Sequence, residues 1–102
     1  MRTYVRIPVV GPMERLDVGD GENELAILQG AVGGYIEGVP AQTGGVMFVD
    51  EEGQLKQRRV NVRATQLANQ VIVGDAVLTG GYDTEGETKG VRRGVLNQLG
   101  VE

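Results

Sequence analysis

Two stretches of alternating apolar and polar residues, each long enough to fold back on itself, constrain this chain most. Residues 3–10 alternate and then run apolar through Val5, Ile7, Val9 and Val10, the period-two pattern of a strand with one buried face. Gly11-Pro12 ends it. Residues 13–18 set Met13, Arg15 and Asp17 against Glu14, Leu16 and Val18, a short second strand pairing back on the first. Residues 35–49 repeat the plan: 35–39 alternate with Tyr35 and Glu37 on one face, 40–45 form a loop, and 46–49 are an apolar strand. Two separate hairpins, rather than a regular alternation of strand and helix, predict an α+β fold. The expected architecture is a largely antiparallel sheet of four to six strands with two or three short helices packed on it, in a single domain spanning residues 1–102.

The segments between and after the hairpins supply the helices and the centre of the sheet. Asn23 is a good helix cap, and Leu25, Leu28 and Val32 follow at amphipathic spacing before Gly33-Gly34 stops the helix. Asp50 to Gly53 is expected to turn, with Gly53 in the left-handed region. Residues 55–59 are polar and basic, a short return strand or a loop. Asn61 caps a second short helix reaching about Asn69 and burying Ala64, Leu67 and Ala68. Residues 71–78 are the most apolar run in the chain and the expected central strand, interrupted at Gly74-Asp75 by a bulge or tight turn. A polar loop over 80–90 leads to a last helix within 91–99, with Val91, Val95, Leu96 and Leu99 inward.

Composition excludes more than it proposes. The 102 residues contain no Cys, His or Ser, which removes disulfides, thiolate metal sites, the commonest transition-metal ligand and the serine and cysteine nucleophiles. An enzyme built from this chain has only Asp, Glu, Lys, Tyr, Thr and Arg to work with, so no enzymatic activity is expected. No stretch approaches the length of a membrane span, and Met1-Arg2-Thr3-Tyr4 begins no signal peptide, so a cytoplasmic location is expected. A net charge of −4 argues against general nucleic-acid binding, which needs a basic surface.

Several motifs fail on inspection. Residues 81–88 have the spacing of a phosphate-binding P-loop, but Glu87 stands where the lysine belongs. A calcium loop begun at Asp83 places Gly94 where its closing glutamate belongs, and one begun at Asp17 places Leu28 there. No cofactor and no metal are therefore expected. Glu37 and Asp75 both interrupt apolar strands and together offer a carboxylate pair of the kind hydrolases use, although each is also explained as a solvent-face or turn residue.

The basic run is the sharper feature. Lys56, Arg58, Arg59 and Arg63 fall within eight residues of an acidic chain, with Asn61 among them. A helix start offers free N–H groups and partial positive charge, which with nearby arginines suits a phosphate or carboxylate. Capping by Asn61 and pairing of the arginines with Asp50 to Glu52 account for the same residues without a ligand.

Four islands, Gly33-Gly34-Tyr35-Ile36-Glu37, Val49-Asp50-Glu51-Glu52-Gly53, Val60-Asn61-Val62-Arg63-Ala64-Thr65 and Val71-Ile72-Val73-Gly74-Asp75-Ala76, resemble in order and spacing a domain-of-unknown-function family of small proteins from bacteria, plasmids and bacteriophages. The resemblance implies no activity. The company the family keeps suggests sequestration of an anionic, nucleotide-like signalling molecule to counter host defence. On that reading Tyr35 stacks or hydrogen-bonds, Arg58, Arg59 and Arg63 meet the charge, and Asn61 or Glu37 reads polar groups. A regulator or inhibitor that docks on a host enzyme is the alternative, and a carboxylate-based hydrolase a weaker one. A homo-oligomer, most simply a dimer, is expected because a small sheet leaves an unpaired edge that residues 91–101 of a second copy can cover. With no His, Cys or calcium loop, the melting temperature is expected to be unchanged by EDTA; a drop of several degrees would reveal a structural ion held by the acidic loops.

Overall fold

The structure, a computed structural model, describes residues 1–101. The first hairpin forms as expected, with Arg2–Ile7 (β1) antiparallel to Glu14–Val18 (β2) and Val5 opposite Arg15. The helix Glu24–Val32 (α1) follows, then the second hairpin, Ile36–Pro40 (β3) and Val46–Asp50 (β4). Val62–Ala68 (α2), Ala76–Leu78 (β5) and Arg93–Leu99 (α3) complete the chain. The five strands make one antiparallel sheet in the order β2-β1-β5-β4-β3, an α+β fold with three helices. β5 joins the two hairpins by pairing with β1 on one side and β4 on the other. No described helix is long and apolar enough to cross a membrane.

Both faces of the sheet are covered. Tyr4, Val18, Phe48 and Val77 pack against Leu28 and Val32 of α1. On the other face Val5, Ile7, Met47, Val49 and Leu78 pack with Ala64 and Ala68 of α2, Ile72, and Leu96 and Val101. Leu25 lies exposed, because apolar residues occupy four consecutive positions of α1 and the spacing alone leaves the inward face open. Leu28, Val32, Ile27 and Ala31 turn in instead. The C-terminal segment is absorbed by the chain's own core, where Val91, Val95 and Leu99 also pack, so its apolar residues are no surplus left for a second copy.

Three boundaries differ from expectation, each for a local reason. β1 stops at Ile7, since Pro8 has no N–H for the ladder, and the N–H of Val9 donates instead to the Asp75 carboxylate at 2.9 Å. The apolar run 71–78 contributes only Ala76–Leu78 to the sheet, because Gly74 adopts φ 79°, which breaks the strand before Asp75. Gly53 is not left-handed; Gln57 takes that conformation at φ 55°, while Gly53 is buried where an added Cβ would lie 2.8 Å from Val73 Cγ2.

The expected turn after β4 is organised by Asp50. Its side chain is 0% exposed and accepts from Lys56 Nζ, Arg58 Nε and the Glu52 N–H, each at 2.9 Å. Arg58 also donates to the Gly33 carbonyl at 2.9 Å, tying the end of α1 to the same turn. Gly33 itself sits at φ 82° to close α1, a conformation an L side chain rarely takes. Burial pushes the Asp50 carboxyl up, but the hydrogen bonds from Lys56, Glu52 N–H and Arg58 and the Lys56 charge outweigh it and hold the group below its usual value. A depressed folded-state value stabilises above the unfolded pKa of about 3.9 and loses that stabilisation as pH falls through the folded value. Asp50→Asn is therefore expected to cost about 2–3 kcal/mol at pH 7, with the gap to wild type closing below about pH 4; urea titrations at pH 7 and pH 3 measure both ends.

Candidate functional site

The largest hollow, about 480 Å³, opens beside the free edge of the sheet. Its floor is the side-chain row of β3 and β4, where Glu37 stands opposite Val49 and is followed on the same face by Val39. One wall is the turn at Gly53, Gln54 and Leu55, and the other is the extended segment from Gln70 to Val73. Leu55 and Val71 are 83% and 62% exposed, unusual for apolar side chains that border a concavity. Glu37 and Glu51 contribute outward carboxylates, while that of Asp50 is spent on Lys56 and Arg58. Among the described residues no lysine or arginine lines the hollow. Its chemistry is thus apolar and acidic, with amides from Gln54 and Gln70.

The wall at 70–73 is held from behind by α2. The Asn61 N–H donates to the Ile72 carbonyl at 2.8 Å, and Thr65 Oγ1 accepts from the Ile72 N–H at 2.9 Å. Asn61, 1% exposed, accepts from the Ala64 N–H through Oδ1 at 3.0 Å, and its Nδ2 donates to the carbonyls of Ile7 at 2.8 Å and Gly74 at 2.9 Å. The hydrogen-bonding capacity of the buried Asn61 amide is therefore filled by the protein itself. Arg63 reaches across to the carbonyls of Pro8 and Gly11, at 2.7 and 2.6 Å, and clamps the link between β1 and β2.

The six residues expected to form one ligand site fall in separate places. Glu37 lines the large hollow. Tyr35, 65% exposed, borders a smaller one with Gln29, Gly34, Glu52 and Lys56. Arg58 and Arg59 line a third, of about 420 Å³, together with Arg6, Pro8, Val10 and Asp75. Asn61 and Arg63 make the internal bonds just described. The carboxylate pair is also divided: Asp75 lies in the third hollow, bonded to Arg6 at 3.0 Å and to the Val9 N–H. Among the described residues no three acidic side chains group to hold a metal ion.

Sequence reasoning missed Leu55 and Val71 as site residues. No local pattern marks them: Leu55 is a lone apolar residue in a polar, basic stretch, and Val71 opens the most apolar run of the chain and reads naturally as core.

A small α+β domain with an apolar, acidic hollow at an open sheet edge is the class these features define. The chain belongs to the family described as Domain of unknown function (DUF3846), whose model matches residues 5–100. No curated protein and no solved structure matches it. Each of the four islands contributes residues to the hollow or its wall, while Tyr35, Arg63 and Asp75 of the same islands are placed elsewhere. Glu37, the run Val49 to Glu51 with Gly53, and the run Val71 to Val73 line the hollow, and Asn61 and Thr65 hold its wall.

Asn61→Ala is expected to destabilise the domain by about 3 kcal/mol, since it removes a helix cap and strands two buried carbonyls. Asn61→Asp keeps the cap acceptor but loses both donors and buries a charge, so it should be no better at pH 7; denaturant midpoints of the two variants decide.

Proposed function

We propose that this protein is a non-enzymatic binding protein whose site is the hollow beside β3. The observation that carries the proposal is a hollow of about 480 Å³ beside the open sheet edge, with exposed Leu55 and Val71 at its rim. Apolar groups left in water around a concavity favour a ligand that removes them from it, at roughly 25 cal/mol per Å² buried. Glu37 and Glu51, which form no ion pair among the described residues, favour a ligand bearing a positive charge or hydrogen-bond donors. Nothing in the proposal requires a reaction, and the division of Glu37 from Asp75 favours binding over hydrolysis.

A second reading keeps the anionic, nucleotide-like ligand and places it in the hollow of Arg6, Arg58 and Arg59. Three arginines line it with one carboxylate, and the Arg59 side chain has no partner among the described residues. Sequestration of a host signalling nucleotide, in a phage or mobile-element setting, rests on this second site alone. Its weakness is that Arg6 is paired with Asp75 and Glu14, and Arg58 with Asp50.

One thermal-shift screen separates the readings, because a ligand that prefers the native state raises the melting temperature. Apolar amines and linear and cyclic nucleotides form its two arms. An amine hit should weaken about tenfold with Glu37→Gln and with Leu55→Ser while Arg59→Ala leaves it unchanged. A nucleotide hit lost in Arg59→Ala and kept in Glu37→Gln would replace the first reading with the second. Leu55→Ser should leave the unliganded stability within about 0.5 kcal/mol of wild type, since the side chain is already in water.

A further inference from the structure

We propose that β3 accepts an extended, basic peptide segment of a partner protein as a sixth strand, with the partner's side chains covering the hollow. This rests on the hollow being the binding site and names the class of partner that fills it.

The backbone argument comes from register. Glu51 N–H donates to the Tyr35 carbonyl at 3.0 Å and Ala41 N–H to the Gly45 carbonyl at 2.9 Å, both in register with the β3–β4 ladder. Antiparallel pairs alternate between bonded and non-bonded, so residues 35, 37, 39 and 41 turn their polar groups to β4, and Ile36, Gly38 and Pro40 turn theirs outward. β3 is the last strand in the sheet order, and no described strand lies beyond it. The edge therefore presents the N–H groups of Ile36 and Gly38 and the carbonyls of Ile36, Gly38 and Pro40. Gly38 has no side chain to hold a partner off, and Pro40, lacking an N–H, ends the row.

The two edges of the sheet are treated differently. β2 is guarded by charge, with Glu14 paired to Arg6 and Arg15 bonded to Asp17 and Thr3. Such charges discourage edge pairing. β3 carries a single charge, Glu37, and that side chain faces the hollow rather than blocking the edge.

The chemistry of the occupant follows. On an added strand, every second side chain falls on the face shared by Glu37 and Val39, over the open side of the hollow. The residue beside Glu37 meets carboxylates and should be Lys or Arg. The next residue on that face meets Val39 and should be apolar. A second copy of this chain fits poorly, because edge-to-edge pairing across β3 brings the two acidic hollows together in chains that each carry −4.

The probe is the blocked peptide acetyl-Thr-Lys-Thr-Val-Thr-Lys-amide, titrated into the full chain and followed by amide NMR and hydrogen exchange. Binding should protect the Ile36 and Gly38 amides and shift those of Glu37, Leu55 and Val71. Glu37→Gln should weaken binding several-fold and lower its salt dependence, and the same peptide with Glu for Lys should not bind. Two further peptides, N-methylated at alternate residues in opposite phase, keep every side chain; strand addition requires that one loses at least tenfold and the other does not. These peptides test the edge without altering the protein. Shifts at Glu37, Leu55 and Val71 with Ile36 and Gly38 unprotected would leave the hollow as a site and overturn strand addition. Equal loss in both methylated peptides, or no binding by any of them, overturns it too. Protection of Ile36 and Gly38 without peptide, rising with protein concentration alongside sedimentation as a dimer, would make a second copy the occupant.

Discussion

The bonds of one buried amide hold three parts of the chain in a fixed relation. Asn61 caps α2, takes hold of the last carbonyl of β1 at Ile7, and takes hold of the carbonyl of Gly74 just before β5. β1 and β5 are sheet neighbours, yet their pairing covers only three residues, because Pro8 and Gly74 both interrupt it. Asn61 supplies the continuity that the ladder cannot, at the point where both strands leave the sheet. An aspartate of the same shape has the acceptor and neither donor, and a serine is too short to reach two carbonyls. Placement of the 70–73 wall then follows, since Asn61 N–H and Thr65 Oγ1 together grip Ile72.

A second anchor, Asp50, explains why the basic run is not a free anion-binding patch. A carboxylate with no exposure is costly unless its lone pairs are filled, and here Lys56, Arg58 and the Glu52 N–H fill them. The arginine fork reaches further than a lysine could, serving Asp50 through Nε and the end of α1 through Nη2. Arg63 is used in the same manner against two backbone carbonyls. A cluster of positive charge in the sequence has thus become a set of internal ties, and only Arg59 of that run remains without a partner among the described residues.

The fold was legible in the sequence where the signal was periodic or chemical. Both hairpins, the Asn23 and Asn61 caps and the Gly33 stop were each readable from local pattern, because caps and alternation are local physics. The position of β5 was readable from its apolar run, but its length was not: whether Val71 to Val73 enter the sheet depends on Gly74 and on Asp75 finding Val9, a contact 66 residues away in the chain. The site was less legible. Glu37 borders the large hollow, while Arg58 and Arg63 carry charge that only tertiary partners can neutralise, and those partners are a buried carboxylate and loop carbonyls that no spacing reveals. Leu55 and Val71 could be recognised as site residues only once the core was seen to leave them outside.

The remaining balance of charge bears on how a partner arrives. Arg2, Arg6, Arg15, Lys56 and Arg58 are each paired with a carboxylate, and Arg63 and Arg92 with carbonyls. Arg59, Lys89 and Arg93 are the positive groups left without a partner among the described residues. The acidic residues are less fully paired, since Glu37, Glu51, Glu52, Glu85 and Glu87 form no ion pair there and lie exposed. All five lie in the 33–37 and 49–53 islands or in the 82–88 loop, whose Tyr82 hydroxyl lies near Gly38. Glu37 and Glu51 set negative charge without an ion pair beside the open sheet edge. On the proposed strand addition, a basic segment is drawn towards Glu37 and Glu51 at a rate that falls with added salt, whereas affinity once docked comes from the strand ladder and from covering Leu55 and Val71. Attraction and docking are separable on that proposal, because the first rests on charge and the second on backbone and apolar contact.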